Sequence, residues 1–394
     1  MIYKRKILED LRKQIERPDI TVITGMRRVG KTVVCRMIFD EIESSNKVFL
    51  DIENPLEQKI FEETDYNNIW ANLEAYGVRR KEKAYIFLDE IQAHPSIVPA
   101  IKYLHDHYQT KFFLTGSSSF YLKKLFSESL SGRKIIFEMY PLDFEEFLWF
   151  KECKRSFDLD WKMKEAQKNA ILYEKTRKWY DEYMTFGGFP QVVLAEGDEY
   201  KKQQVTDIFK SYFEKDVQKL ADFKQMNHFR DLLLLLLHRA GSKLEITKLS
   251  SEVGVSRETV YAYLAFLQGT YFIDLVAPFT RSSDREVSGT KKVYICDNGF
   301  LSQLARVDEG HLLENAVFLN LRKYGDLRYY QKRGGREIDF VLMDQKVGIE
   351  VKKSASLRDL KSLDAAAGSL KLSESYLVTR EFFLDPRMIP VTEV

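Results

Sequence analysis

The stretch Gly25-Met26-Arg27-Arg28-Val29-Gly30-Lys31-Thr32 decides the fold of the first third of the chain. It fits the phosphate-binding pattern G-x-x-x-x-G-K-S/T at every fixed position. The apolar residues 21–23 before it predict a short buried strand, and residues 33–39 after it predict a helix. In that context the glycines let backbone N–H groups turn toward a phosphate, and the helix N-terminus adds positive potential. We therefore predict a loop that binds nucleotide phosphates; the alternative is a glycine-containing turn with an incidental lysine.

Each fixed position of this loop has a predicted role. Gly25 and Gly30 shape the backbone, and Arg28 between them is included among the nucleotide contacts. Lys31 is predicted to reach the β and γ phosphates, and the Thr32 hydroxyl to ligate Mg²⁺. The predicted ligands are therefore ATP and Mg²⁺.

A second apolar run ends in two acids. Residues 84–88 predict a buried strand, and Asp89 and Glu90 follow it directly. Asp89 is predicted to bind the Mg²⁺ shell, and Glu90 to polarise the attacking water as general base. This Walker B arrangement is informative because it follows the phosphate-binding loop with a strand–helix unit between them.

A third run, residues 111–114, predicts another buried strand, with the hydroxyls of Thr115, Ser117 and Ser118 at its carboxyl end. In a parallel sheet the ligand lies at the carboxyl ends of the strands, so these hydroxyls are predicted to face the γ-phosphate or the lytic water. The alternative for Ser117 and Ser118 is N-capping of a helix over residues 120–126. Both roles can hold at once.

The order of these motifs, followed by Ser131-Gly132-Arg133, resembles that of the AAA-type P-loop ATPases. In particular it resembles a prokaryotic family that joins this ATPase to a C-terminal restriction-nuclease-like domain. The resemblance implies that Arg133, between a helix over residues 120–128 and a strand over 134–137, stabilises charge on a neighbouring subunit's nucleotide. It therefore also implies a homo-oligomer formed through the ATPase domain, with a second sensor arginine in the lid at a position that we cannot assign. The alternative for Arg133 is a surface or packing role.

Composition limits the other possibilities. The chain has 394 residues, 44% hydrophobic and 30% charged, which is typical of a multidomain globular protein. Its formal net charge of +2 gives no global basic field, so a DNA partner must meet a local patch. Three scattered cysteines without a C-x-x-C pair favour a reducing compartment over a disulfide framework. No apolar signal core follows the N-terminus and no run is long enough to span a bilayer, so we expect a cytoplasmic protein without a membrane partner.

The middle of the chain reads as helical. Residues 141–183 predict helices of a lid, which a Gly187-Gly188-Phe189-Pro190 turn interrupts. Residues 246–253 and a helix that begins after Ser256 predict a helix-turn-helix, and residues 271–276 with 291–295 predict a wing hairpin. Arg257, Thr259 and Tyr261 would then be the early residues of a recognition helix. Because this helix carries a single early cation, DNA contact and a purely packing role both stay open.

The C-terminal region carries a spaced set of acids and a lysine. Asp339 lies on one predicted strand, Glu350 and Lys352 share one face of the next, and Glu314 lies on a preceding helix. The set resembles the D-x(n)-E-x-K core of the restriction-endonuclease-like nucleases. There Glu314, Asp339 and Glu350 would hold Mg²⁺, and Lys352 would stabilise charge at the scissile phosphate. The alternative is an ordinary ion pair between Glu350 and Lys352 on an exposed strand.

We therefore predict an α/β protein in four parts: a P-loop AAA-type ATPase core (1–140), a helical lid (141–222), a winged-helix module (223–298) and an α/β nuclease-like domain (299–394). ATP binding and hydrolysis is the central prediction. ATP would either gate a metal-dependent nuclease that acts on DNA, or switch a regulator or scaffold whose silent nuclease-like domain binds DNA or a protein. A plain ATPase with an unknown protein client is the third possibility.

Overall fold

A computed structural model describes residues 4–108, 110–117, 130–217, 226–280, 289–332 and 337–394. The chain divides into two compact units. The first comprises residues 1–140 together with 269–271, and the second comprises 141–268 and 272–394. The predicted helix over residues 120–128, and Ser118 before it, lie outside the described residues.

The first unit is built on a five-stranded sheet in the order β2-β3-β4-β1-β5, in which every pairing is parallel. Three of its strands are buried along their whole length, as expected when helices cover both faces of a parallel sheet. The strands are Ile20–Thr24 (β1), Lys47–Asp51 (β2), Ala84–Asp89 (β3), Thr110–Gly116 (β4) and Lys134–Glu138 (β5). The helices are Ile7–Arg12 (α1), Lys31–Glu41 (α2), Pro55–Gln58 (α3), Ile69–Glu74 (α4) and Val98–His107 (α5).

The topology of this sheet fixes where the predicted motifs meet. The phosphate-binding loop follows β1, the two acids end β3, and β4 lies between these two strands. Because parallel strands end at the same edge, all three motifs are brought to one edge of the sheet. Short 3₁₀ turns at Ile91–Ala93 and Pro95–Ile97 lead the chain away from β3.

The second unit begins with helices and ends in a mixed sheet of seven strands, in the order β12-β11-β10-β9-β8-β6-β7. Its helices are Phe144–Phe150 (α6), Trp161–Gln167 (α7), Ala170–Phe186 (α8), Pro190–Val193 (α9), Asp198–Tyr212 (α10), Met226–His238 (α11), Ile246–Val253 (α12), Arg257–Gly269 (α13), Asn298–Phe300 (α14), Glu309–Leu321 (α15) and Leu357–Leu370 (α16). Its strands are Ile273–Pro278 (β6), Lys292–Ile295 (β7), Leu327–Gln331 (β8), Glu337–Leu342 (β9), Val347–Lys352 (β10), Glu374–Thr379 (β11) and Met388–Pro390 (β12). None of the helices in the described part of the chain has the length and apolar character needed to span a bilayer.

The helices of the predicted lid differ from the prediction. The helical stretch expected to run on to residue 183 is interrupted, because residues 153–158 form no helix. Capping residues explain the new starts: Asp160 accepts the N–H of Lys162 at 2.8 Å, and Asn169 accepts the N–H of Leu172 at 3.0 Å. Each cap satisfies a backbone donor that a continuous helix would have bonded internally.

The predicted wing hairpin also belongs to the C-terminal sheet. β6 and β7 pair antiparallel, as predicted for a hairpin. Ile273 lies opposite Ile295, and Val276 lies opposite Lys292. β6 then pairs in parallel with β8, at Ala277 opposite Arg328. The boundary predicted between residues 298 and 299 therefore falls inside one shared sheet. The four-part division of the chain stays a prediction.

Candidate functional site

The loop after β1 has the backbone of a phosphate-binding turn. Gly25 has φ of +153°, and a Cβ atom added there would lie 2.0 Å from the Met139 carbonyl oxygen. Gly30 has φ of +98° and forms the N-cap of α2. Both positions therefore favour glycine because their φ angles are positive, and Gly25 also has no room for a Cβ atom. The helix starts at Lys31, so its open N–H groups face the loop, as anion binding requires.

The lysine of the loop is held inside it. Lys31 is 4% exposed, and its Nζ donates to the carbonyl oxygens of Gly25 at 2.9 Å and Met26 at 3.1 Å. The buried Arg5 supports the loop from outside, since its guanidinium donates to the carbonyl oxygens of Val29 at 2.7 Å and Tyr140 at 2.8 Å. Nothing in the sequence pattern singled out Arg5, because its partners are backbone atoms far along the chain.

Two hydroxyls hold the first acid of β3. Thr32 Oγ1 donates to Asp89 Oδ2 at 2.8 Å, and the buried Thr115 hydroxyl donates to Asp89 Oδ1. Burial raises the pKa of Asp89, while the hydrogen bonds from Thr115 and Thr32 lower it. The predicted Mg²⁺-binding pair, Thr32 and Asp89, is therefore in direct contact.

The second acid is bound by an amide that sequence reasoning missed. Glu90 has φ of +53°, in the left-handed region, and its N–H donates to Thr115 Oγ1 at 3.0 Å. The Gln92 Nε2 donates both to a Glu90 carboxylate oxygen and, at 3.0 Å, to Ser117 Oγ. Gln92 thus connects the predicted general base to the predicted Ser117 hydroxyl, which follows β4. The only available signal was its position two residues after the acid pair.

These residues fit ATP and Mg²⁺. The loop offers backbone N–H groups, a buried ammonium and a helix N-terminus to phosphates, and Thr32 with Asp89 offers one hydroxyl and one carboxylate to a hard cation. Mg²⁺ bound there would neutralise charge that develops on the phosphates. Arg28 is exposed with φ of +65°, at the tip of the loop.

Arg133 lies away from its own chain's phosphate loop. Its carbonyl oxygen accepts the N–H of Ile20, the first residue of β1, at 2.8 Å. β1 has five residues, and at a rise of about 3.3 Å each the Arg133 backbone lies about 15 Å from the loop. Its Nε donates to Asp106 Oδ1 at 2.7 Å, which lowers the pKa of Asp106, and the arginine side chain is 37% exposed.

The C-terminal acids are brought near one another by α15, β9 and β10. Phe340 of β9 lies opposite Ile349 of β10. Because the two strands are antiparallel, the next residues, Asp339 and Glu350, also come opposite each other. Asp339 Oδ2 accepts the N–H of Val351 at 2.8 Å, and Lys352 Nζ lies 2.7 Å from Glu350 Oε1. Burial raises the pKa of Glu350, and the Lys352 ammonium lowers it.

A buried lysine lies among these acids. Lys292 of β7 has a side chain that is 5% exposed, and its Nζ lies 2.9 Å from Glu337, 3.1 Å from Glu314 and 3.6 Å from Asp339. The Tyr294 hydroxyl donates to the same Glu314 oxygen at 2.7 Å. Burial alone would lower the pKa of Lys292, but the three carboxylates raise it above its ordinary value.

The predicted Mg²⁺ ligands Glu314, Asp339 and Glu350 therefore do not fit a metal as they stand. Among the described residues, no group of three or more His, Cys, Asp or Glu side chains has an arrangement that could hold a metal ion. Two of the three ligands contact the Lys292 ammonium, and the third is paired with Lys352.

The predicted recognition helix presents a mixed surface. Ser256 Oγ accepts the N–H of Thr259 at 3.2 Å, which confirms Ser256 as the N-cap of α13. Arg257 and Tyr261 are exposed, and the acidic Glu258 is exposed beside Arg257. DNA contact through this helix stays a prediction.

Comparison with known families supports the N-terminal part of this picture. A family profile described as an AAA domain matches residues 17–148, so this segment resembles an AAA-type P-loop ATPase domain. Two profiles described only as domains of unknown function, DUF8612 and DUF4143, match residues 177–311 and 309–392. These descriptions give no activity for the second unit, so its winged-helix and nuclease-like assignments stay predictions.

Similar proteins extend over most of the chain. An uncharacterized protein of Methanocaldococcus jannaschii is 28% identical over 94% of this chain and 83% of its own length. An uncharacterized protein of Haemophilus influenzae is 27% identical over 86% of this chain and 84% of its own length. Among solved structures, a Walker-type ATPase of Pyrococcus abyssi (PABY2304) is 14% identical and covers 78% of this chain and 96% of its own, with a TM-score of 0.48. The Aeropyrum pernix ORC1 protein, solved in complex with DNA, is 14% identical and covers 77% of this chain and 93% of its own, with a TM-score of 0.33. At such scores, neither structure identifies the fold of the whole chain.

Proposed function

We propose that this protein binds ATP with Mg²⁺ and hydrolyses it at the carboxyl edge of the five-stranded sheet. The observation that carries the proposal is the contact of Thr32 and Thr115 with Asp89, beside a loop that already encloses Lys31. Three groups thereby meet at one edge of the sheet: Lys31 as the phosphate ligand, Asp89 as the magnesium ligand and Glu90 as the candidate base. This is the set of parts that phosphoryl transfer to water requires.

The chain's own residues have separable roles in this reaction. Lys31 would exchange its carbonyl partners for phosphate oxygens, because a charged acceptor is the stronger partner for an ammonium. Thr32 and Asp89 would hold the cation, and Glu90 would accept a proton from the attacking water. Gln92 and Ser117 would orient Glu90 and that water.

A lysine variant tests the proposal. Lys31→Ala should reduce ATP affinity by about tenfold or more, since charge-assisted hydrogen bonds contribute about 1.5–3 kcal/mol. ATP binding is measured by calorimetry, and phosphate release by a coupled assay. Lys83→Ala is the matched control, because Lys83 lies before β3 at the opposite edge and pairs with Glu16. Unchanged binding in Lys31→Ala would overturn the assignment of the loop.

For the second unit, we propose the regulator or scaffold function rather than a nuclease gated by ATP. The contact of Lys292 with Glu314 and Asp339 favours this alternative, because a metal-dependent nuclease needs those oxygens for its cation. The partner would be DNA or a protein. Metal-dependent cleavage of single-stranded, duplex or branched DNA that Lys352→Ala abolishes would favour the nuclease instead.

Segment 269–271 supports a coupling of ATP state to the second unit. It belongs to the first unit, although the residues on both sides of it in the sequence belong to the second. The buried Tyr271 hydroxyl donates to Glu138 at 3.2 Å and lies 3.3 Å from Oγ1 of Thr24, the residue before the phosphate loop. A change of the loop on ATP binding would therefore act on a segment that is covalently continuous with the predicted winged-helix module.

A further inference from the structure

The acidic cluster of the second unit comprises Glu314, Glu337 and Asp339, and Lys292 is its central cation. A buried ammonium is costly unless it is paired and hydrogen-bonded. The Lys292 Nζ has carboxylate oxygens at 2.9, 3.1 and 3.6 Å. An ammonium has three N–H donors. The Glu337 and Glu314 oxygens lie within hydrogen-bond distance of it, and Asp339 at 3.6 Å is an ion-pair partner.

Other donors also contact oxygens of the cluster; one is the Gln331 amide, which donates to Glu337 at 3.2 Å. Tyr294, two residues after Lys292 on β7, donates to the Glu314 oxygen that Lys292 contacts. The other oxygen of Asp339 accepts the backbone N–H of Val351. Mg²⁺ needs oxygen ligands at about 2.0–2.1 Å in an octahedral arrangement, and it cannot share that space with an ammonium.

The side chain of Lys292 is fixed by more than charge. β7 pairs with β6, and the Lys292 Nζ lies 5.6 Å from the centre of the Tyr329 ring on β8. Its side chain is 5% exposed. A lysine in this position cannot move into solvent without leaving three carboxylates together in a partly buried site, where they would repel one another.

We propose that the Lys292 ammonium is the resident cation of this cluster and occupies the place of a divalent metal ion. The domain is therefore kept metal-free by one side chain, although its carboxylates are present. Without that side chain, Glu314, Glu337 and Asp339 can close around a divalent cation, an arrangement that they do not have in the structure. This inference is independent of ATP hydrolysis, which Lys292 variants should leave unchanged.

The test is Mn²⁺ binding by the full chain without nucleotide, followed by electron paramagnetic resonance and calorimetry. Wild type and Asp339→Asn should bind the same number of Mn²⁺ ions, because the cluster holds none. Lys292→Ala should gain one Mn²⁺ per chain, and the double variant Lys292→Ala, Asp339→Asn should lose it. The control is Lys243→Ala, because Lys243 lies 5.3 Å from the same Tyr329 ring but is exposed, and it should gain no ion.

Two results would overturn the proposal. One is that wild type, with Lys292 in place, binds a Mn²⁺ ion that is lost in Asp339→Asn. The other is a folded Lys292→Ala chain, with normal ATP turnover, that gains no ion. If Lys292→Ala unfolds at lower temperature, Mn²⁺ should raise its melting temperature by more than it raises that of wild type, because a ligand that binds only the folded state stabilises it. A melting temperature that Mn²⁺ does not change would count against the proposal.

Discussion

The Gln92 amide connects two side chains of the proposed nucleotide site. It donates to Glu90 and to Ser117, and Gln92 is itself buried. The Glu90 backbone is in the left-handed region, where a non-glycine residue persists only if its surroundings hold it. We therefore propose that Gln92 positions Glu90, the proposed general base.

Gln92→Ala tests whether Gln92 acts on the hydrolysis step rather than on ATP binding. Without the amide, Glu90 loses a fixed orientation toward the water, so kcat should fall by about tenfold or more while KM changes little. Steady-state ATP hydrolysis measures both constants. Gln58→Ala is a suitable control, because the Gln58 amide donates to the Ile52 carbonyl oxygen in the same unit. An equal loss in both variants, or a change confined to KM, would remove Gln92 from this role.

The motif residues of the proposed nucleotide site could be predicted from the sequence, but the side chains that contact such residues could not. Lys31, Thr32, Asp89 and Glu90 belong to motifs with fixed spacing, so their positions could be read directly. The contacts of Arg5, Gln92 and Lys292 depend on segments that meet only when the sheets form. Such contacts leave no periodic pattern in the sequence.

At the level of elements, the Gly187-Gly188 turn ends α8 and anchors another turn of the second unit. Asp297, fully buried, accepts the N–H groups of Gly188 at 2.6 Å and Gly299 at 2.8 Å. Burial raises the pKa of Asp297 to about 7, while these backbone hydrogen bonds lower it. The sequence predicted only that this turn interrupts the helices of the lid; these contacts give it a structural role as well.

Two glycines of this unit form a matched pair that tests the turn. Gly187 and Gly197 have φ of +80° and +79°, but an added Cβ would lie 1.7 Å from Asp297 at Gly187 and meet nothing within 4 Å at Gly197. Gly197→Ala should cost about 1 kcal/mol of unfolding free energy from backbone strain alone. Gly187→Ala should cost at least about 2 kcal/mol more, because the overlap must displace a buried, hydrogen-bonded carboxylate. Denaturant unfolding measures both, and equal losses would show that the Asp297 contact is unimportant.

The strands were predicted more accurately than the helices. β3, β5 and β7 match the predicted residues to within one position, because short apolar runs between turn residues have clear limits. The lid helices were less accurate, since caps such as Asp160 and Asn169 lie within a continuous charged stretch. The pairing of β6 with β8 was not predictable, because it joins strands that are distant in sequence.

At the level of the whole molecule, the position of Arg133 bears on assembly. The arginine lies at the edge of the sheet opposite the phosphate loop and is partly exposed. It cannot reach its own chain's nucleotide from there. We therefore keep the proposal that Arg133 acts on the nucleotide of a neighbouring copy, which requires it to leave Asp106.

Mixing two inactive variants tests this proposal. Arg133→Ala lacks the arginine but keeps its own site, and Glu90→Gln lacks the base but keeps the arginine. Arg133→Ala should lose about 10²–10³ in kcat and Glu90→Gln about 10²–10⁴, and mixed oligomers should recover part of the activity. The specific activity of wild type should also rise with protein concentration. Arg12→Ala, which removes an exposed arginine paired with Glu41, is the control. Activity that is independent of concentration, with no recovery on mixing, would contradict a role in trans.

ATP hydrolysis with Glu90 as the general base is the central proposal, and a single-turnover measurement with Glu90→Gln tests it directly. The variant keeps Lys31, Thr32 and Asp89, so it should bind ATP and Mg²⁺ as wild type does. Without a carboxylate to accept the proton, hydrolysis of the bound ATP should slow by about 10²–10⁴-fold, and the variant should retain intact ATP. Cleavage of bound ATP at the wild-type rate would contradict the account.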